Sequence, residues 1–540
     1  MSKQWLLWAA LCGSILAAGT YQLSGEKMRA DVKYLASDEL EGRGVGTQGE
    51  KLATEYLAAQ LKAAGAEPAG DNGSYFQRVP LIGSTTLPSA TLTVAGKGSD
   101  FSFQFGRDYV GTAFTQVAEN DFDAEAVFVG HGISAPEFDW DDYKGEDLHG
   151  KVLVYFTNEP PSDDPKFFGG RALTYYGRWT YKFEEAARRG AAAALIIHTT
   201  PTAGYGWGVV NGSFSREMPE LKLNPGQHGL KLAAWLSQDA GAKLVSATGK
   251  SLDELLSIAN QRSFRPIPLG VRVTGHIPVK LHAIESRNVV GRIEGSDAKL
   301  RQQAVLYTAH WDHLGISVPV NGDKIYNGAV DNATGCAVVL ELARAWAALQ
   351  QKPKRSAVFL FVTAEESGLL GSEYYGEHPE VPAGSTALDI NYDALYPFGK
   401  TGDVLVGGAE RTTLWPMVER DARSMDLEIG ADPTPEQGHY YRSDHFSLAR
   451  VGIPAFSISQ GSTYLGKPAD FGKKIFEQYN AEHYHRPSDE YHADWDFSGM
   501  VQMAELGVKI GMDAANLPQL PTWQAGDEFL AAREKSEEAK

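Results

Sequence analysis

Cysteine is nearly absent from this sequence: its 540 residues include only Cys12 and Cys336. A disulfide scaffold is therefore excluded as the source of stability. Cationic charge is also in short supply, with 50 Lys and Arg against 68 Asp and Glu, a formal net charge of −18. A field of that sign repels duplex nucleic acid and anionic membrane surfaces, so no nucleic-acid partner is expected. Internal repeats and low-complexity tracts are missing as well. Long apolar runs are missing except at the start, so no integral membrane span is expected in the mature chain.

That first run, Trp5 to Gly19, follows a single Lys3 and ends in small residues. It reads as a signal peptide over 1–19, cleaved near Ala18 or Gly19, which directs the chain to the periplasm or outside the cell. Leu11 stands before Cys12 where a lipidated cysteine would follow a small residue, so lipidation is not expected. Cys336 lies in an apolar helical run and is read as a buried, inert thiol.

What is present is globular composition, 43% hydrophobic and 22% charged, over a length that favours more than one domain. Apolar residues recur at helical spacing on both sides of the Gly42, Gly44 and Gly49 breaks, giving two helices around a glycine-rich turn. Short strands follow from Tyr75 to about Asn120. A strand, strand, helix, strand unit then runs from 121 to 278 without a metal-ligand cluster and reads as an insertion. From Ser286 to Leu517, near-continuous apolar strands alternate with helices, the pattern of an α/β domain with a mostly parallel sheet covered on both faces. The expected division is 20–120 as the first part of the main domain, 121–278 as the insert, 279–517 as the main domain proper, and 518–540 as a tail charged enough to fray after Glu528.

Four acid or histidine clusters follow successive strand-like runs: His310-Trp-Asp-His, Gly328-Ala-Val-Asp-Asn, Thr363-Ala-Glu-Glu and Asn391-Tyr-Asp. In an open α/β sheet such strand ends share one crevice. Imidazole nitrogens and carboxylate oxygens are zinc ligands. Two zinc ions about 3.5–4 Å apart can share a carboxylate, and Asp331 is placed to be that bridge. Adjacent Glu365 and Glu366 would point to opposite faces of a regular strand. At a strand end one can bind metal while the other exchanges protons with a nearby water.

The order of these motifs resembles the co-catalytic zinc exopeptidases of metallopeptidase family 28, over nearly the whole mature chain. The resemblance implies a three-layer α/β zinc-peptidase fold with a central, mostly parallel mixed sheet, two Zn2+ ions and peptide substrates. Carried over residue by residue, it makes His310 a ligand of one zinc, oriented by Asp312, and Asp331 the bridge. Glu366 shares the first zinc with His310, Asp393 and His485 serve the second, Glu365 is the general base, and the Tyr484 hydroxyl stabilises an oxyanion. The insert resembles a protease-associated domain on Phe128–Pro136 and Ala186–Ala194, and is read as a lid.

Release of N-terminal residues is the leading reading. A carboxypeptidase or dipeptidase of the same fold comes second, since Arg442 and Arg450 lie near a plausible pocket loop and such an enzyme needs a cation for the terminal carboxylate. A non-catalytic, receptor-like binding protein is disfavoured, because every ligand position holds a competent ligand. His313 is read as a loop or packing histidine and Asp389 as interior to a strand. Ser443-Asp444-His445 is not read as a serine-hydrolase triad, whose members converge from distant positions. Among His439, His445, His483, His485 and His492, His485 is preferred as the closing ligand, with Asp489 as its neighbouring support.

Overall fold

The computed structural model describes residues 21–96, 100–164, 166–203 and 206–538. The expected leader, residues 1–19, lies outside them. Six of the eight strands of the main sheet form its body: β1 (Phe76–Thr86), β2 (Val279–Ile293), β3 (Ala304–His310), β4 (Ser356–Val362), β5 (Thr386–Asn391) and β6 (Ala455–Ser457). Their spatial order is β1-β2-β4-β3-β5-β6. β4, β3, β5 and β6 run parallel, while β2 is antiparallel to β4 and β1. Every residue of β3, β4 and β5 is buried, which is why these segments read as continuous apolar runs rather than alternating ones.

Helices Gly25–Leu35, Gln48–Ala64, Thr334–Ala348 and Ser498–Asn516 supply Met28, Leu57, Val338 and Met503 to one core with Tyr307, Phe359 and Ile390 of the sheet. On the other face Leu306, Val358 and Leu360 pack with Tyr375 and Leu448 from helices Leu370–Glu377 and His445–Arg450. The result is three layers. β3 lies between β4 and β5, so the chain crosses to one side and then to the other. The carboxyl ends of these three strands open on one crevice at that reversal.

The chain leaves the main sheet after Thr86 and returns at Val279, where these two residues pair. Between them stands a second sheet of eight strands, ordered Phe101–Phe103, Thr91–Gly96, Ile267–His276, Asp121–Phe128, Val152–Phe156, Ala193–Ile197, Leu232–Leu236 and Tyr109–Thr112. This moves the expected boundary at 121. Thr91–Gly96 pairs with Ile267–His276, and a period of two does not disclose which sheet a strand joins. Met218–Leu221, inside the insert's span, reaches back to pair with β1.

The tail also differs from the expectation of fraying. Leu530–Glu538 is helical, and buried Arg533 donates to the carbonyls of Ala383, Thr386 and Pro521. Trp523 and Phe529 join a core with Tyr441 and Phe446. Among the described residues no helix is long and apolar enough to cross a membrane.

Candidate metal centre

His310 ends β3, and the pairing of Thr308 with Asn391 places the continuation of β5 beside it. Its Nε2 lies 3.2 Å from Asp393 Oδ1 and 3.3 Å from Asp331 Oδ1. The other Asp331 oxygen, Oδ2, lies 3.4 Å from His485 Nε2, which is also 3.1 Å from Glu366 Oε2. Asp331 thus presents one oxygen to each of two ligand groups. Two ligand atoms held about 2.0–2.1 Å from one tetrahedral ion are themselves roughly 3.3–3.4 Å apart. The four separations fit atoms arranged around two cations that share Asp331.

The pairing differs from the expected one. Glu366 stands with His485 rather than His310, and Asp393 with His310. The strand order accounts for this: β3 and β5 are neighbours in register, so His310 meets the stretch of chain just beyond the end of β5, where Asp393 lies. The glutamates follow β4 through a sharp turn, with Ala364 at φ 51°. That turn breaks the strand alternation, so adjacent Glu365 and Glu366 both reach the crevice.

Asp312 is also placed differently from its expected role. His310 Nδ1 lies 3.1 Å from the Asp312 backbone oxygen, whereas the nearest Asp312 carboxylate oxygen is 3.8 Å away. The carboxylate instead accepts from the backbone N–H groups of Glu365 and Glu366 at 3.1 and 3.3 Å. One residue therefore orients the imidazole with its main chain and the glutamate turn with its side chain. Glu365 Oε2 lies 4.0 Å from His310 Nε2. Burial raises the Glu365 carboxyl well above its usual range, against the pull of His310 and with Asp393 and Glu366 adding to the rise. Burial also opposes ionisation of Glu366, but His485 and His313 hold it below the ordinary value. Environments that push two neighbouring carboxyls apart divide their roles between proton carrier and anion.

The late histidines separate clearly. His439 bonds Thr434, His483 faces the carbonyl of Ser488, and His492 packs on Trp495. His445 lies behind Asn391, 3.4 Å from its side-chain nitrogen. Only His485 of the five is brought to the carboxylates. Tyr484 stacks on it with ring centroids 3.9 Å apart and is 46% exposed at the mouth. Asp489 braces the bridge, accepting from the N–H groups of Val330 and Asp331 at 3.0 and 3.1 Å and from the Tyr479 hydroxyl.

Ser443 donates to Asp393 Oδ2 at 2.7 Å and accepts from Asn391. It makes no bond to His445, so there is no serine triad. Asp389 is buried within β5 and accepts from Thr308. Cys336 is buried with its thiol against the His310 carbonyl, and burial pushes it up to about 12, which suits an inert role.

Two residues of the centre were missed by sequence reasoning. His313 is 2% exposed, with Nδ1 2.6 Å from Glu366 Oε1 and its ring edge toward His485. Together with Asp331 and Glu366 it forms a second set able to hold a metal ion. Arg43, 1% exposed in the glycine-rich turn, donates to the carbonyls of Trp311, Leu35, Asn327 and Gly328 at 2.6–2.9 Å. It ties the His310 loop to the Asp331 loop. The Gly42 to Gly49 pattern marked a turn there but not what its arginine holds.

Comparison with known proteins agrees with this geometry. Residues 288–508 match the model of peptidase family M28. A vacuolar membrane protease of Yarrowia lipolytica is 35% identical over 102 residues, 19% of this chain and 9% of that protein. A probable zinc metalloprotease of Pyrenophora teres is 37% identical over 107 residues, 20% of this chain and 22% of that one. These matches span less than a quarter of either relative. The aminopeptidase from Aneurinibacillus sp. strain AM-1 shares the fold, with a TM-score of 0.51 at 20% identity over 92% of this chain and 96% of its own. Residues 288–508, the stretch similar to peptidase family M28, hold every one of the candidate ligands.

Proposed function

We propose that the chain is a two-zinc exopeptidase that releases N-terminal residues from peptides. The observation that carries this reading is the division of the Asp331 carboxylate between two ligand groups, His310 with Asp393 and Glu366 with His485. Bound zinc would supply Lewis acidity to a peptide carbonyl and acidify a water molecule. The chain's own residues do the rest. Glu365, raised by burial, can take a proton from that water and hand it to the departing amine. Tyr484, at the mouth, has a hydroxyl available to the developing oxyanion.

The fold is shared with an aminopeptidase, which favours the release of N-terminal residues. Arg450, one of two candidates for a substrate carboxylate, is committed to Glu184 of the insert at 3.2 Å. Arg442 is not, which keeps the dipeptidase or carboxypeptidase reading as the second one. The run at 5–19 supports export to the periplasm or beyond, and the likeness at Phe128–Pro136 supports a protease-associated insert. Zinc analysis with aminoacyl-nitroanilide and N-blocked dipeptide assays tests the proposal. About two zinc per chain and chelation-sensitive cleavage of unblocked substrates are expected; full activity without metal would refute it.

A further inference from the structure

Arg442 stands one residue before Ser443, whose hydroxyl holds Asp393 at 2.7 Å. Its Nε is buried without a hydrogen-bond partner, and among the described residues no carboxylate pairs with its guanidinium. The other arginines around this segment are occupied: Arg411 by Asp527 and Glu528, and Arg450 by Glu184. In a chain of net charge −18, an unpaired, half-buried guanidinium is conspicuous. A buried donor left unmade costs about 1–3 kcal/mol, more for a charged group.

The surroundings carry both signs of charge. His439, three residues earlier, is lowered by burial and by the charges of Arg442 and of Arg178 from the insert, with Asp432 and Glu436 opposing. The insert closes on this segment: Leu173 N–H donates to the Pro435 carbonyl at 3.0 Å, and Tyr175 packs on Phe446. The cation therefore lies where the insert meets the peptidase domain, a common place for ligand clefts. Arg442 is next along the chain to Ser443, whose hydroxyl holds Asp393, and one extended residue spans about 3.3–3.6 Å. Arg442 thus lies along the chain within about one or two extended residues' length of the group that holds Asp393.

We propose that Arg442 is a specificity residue that binds a carboxylate of the substrate, so that the preferred peptides carry a negative charge within a residue or two of the scissile bond. This rests on the peptidase reading. The charge has two possible sources, an acidic N-terminal side chain or the free carboxyl terminus of a short peptide. Arginine meets either in the same bidentate way.

The test is calorimetric binding to the zinc-loaded Glu365→Gln protein, with and without Arg442→Gln or Arg442→Lys. Two peptide pairs serve as probes: Glu-Ala amide against Gln-Ala amide for the side-chain source, and Ala-Ala against Ala-Ala amide for the terminal source. In one pair the carboxylate member is expected to bind about 10- to 100-fold more tightly, the range of a hydrogen bond to a charged group. Arg442→Gln should erase that ratio and Arg442→Lys should restore part of it, which a folding defect would not do. Equal binding within both pairs, or a ratio that survives Arg442→Gln, overturns the proposal. Turnover of the same peptides by the wild type is scored separately. Its absence refutes the peptidase reading, while the binding ratios decide the role of Arg442 either way.

Discussion

The two ligand groups that share Asp331 are built from unlike parts. His310 ends a buried central strand with its side chain 1% exposed, and Asp393 follows the neighbouring strand in register. Their placement is inherited from the sheet. His485 sits on a loop with φ 55° and a side chain 35% exposed, held through Asp489 and the stack of Tyr484. Its group compensates by number, because His313 adds a second imidazole against Glu366. The contrast teaches that one site is rigid by topology and the other by side-chain support. The loop-borne site should therefore lose metal first.

The largest effects should come from the two adjacent glutamates that follow β4. Glu365→Gln should keep metal and lose about 10²- to 10⁴-fold in turnover, the usual worth of general acid–base catalysis. Glu366→Gln should shed metal from the loop-borne site. Exchange of these phenotypes in metal analysis and kinetics would reverse the assignment. Tyr484→Phe should retain metal and slow turnover by about 10²- to 10³-fold if its hydroxyl meets the oxyanion. Unchanged kcat would remove it from that role.

A smaller effect is expected at His313. Supporting groups around a metal ligand typically contribute 10- to 100-fold in metal affinity. His313→Ala should lose about that much at the Glu366–His485 site alone, as read by competition with a chelator. Equal weakening of both sites would show that His313 serves the fold rather than Glu366.

The smallest effect concerns stability. Burial, with the Arg411 charge adding to it, pushes buried His445 down to about 3. In the unfolded chain it returns to about 6.5. Between those values the unfolded state binds more protons, so stability falls as pH drops through that window. His445→Gln should make urea midpoints less sensitive to acid between about pH 7 and pH 5. A slope identical to the wild type would contradict this.

Much of this centre was legible in the linear sequence because His310, Glu366 and Asp393 end or follow apolar strands, and strand ends in an open sheet converge. The pairing of ligands was not. It depends on β3 lying between β4 and β5, an order that apolar runs alone do not carry. Nor was His313 legible, since its meeting with Glu366 is set by the turn at Ala364 and not by spacing along the chain. The insert's first strands were assigned to the wrong sheet because alternation specifies a face and not a partner. The tail read as fraying because its charges outnumber its anchors, yet one arginine that finds three carbonyls is enough to dock it.

Zinc content per chain, measured in parallel on the wild type, Asp331→Asn and His485→Ala after identical dialysis, tests the shared-carboxylate centre most directly. The account predicts about two equivalents in the wild type, near one in His485→Ala, and less than one in Asp331→Asn, because only that change removes a ligand from both groups. Asp331→Asn that keeps both metals, or His485→Ala that remains fully loaded, would contradict it.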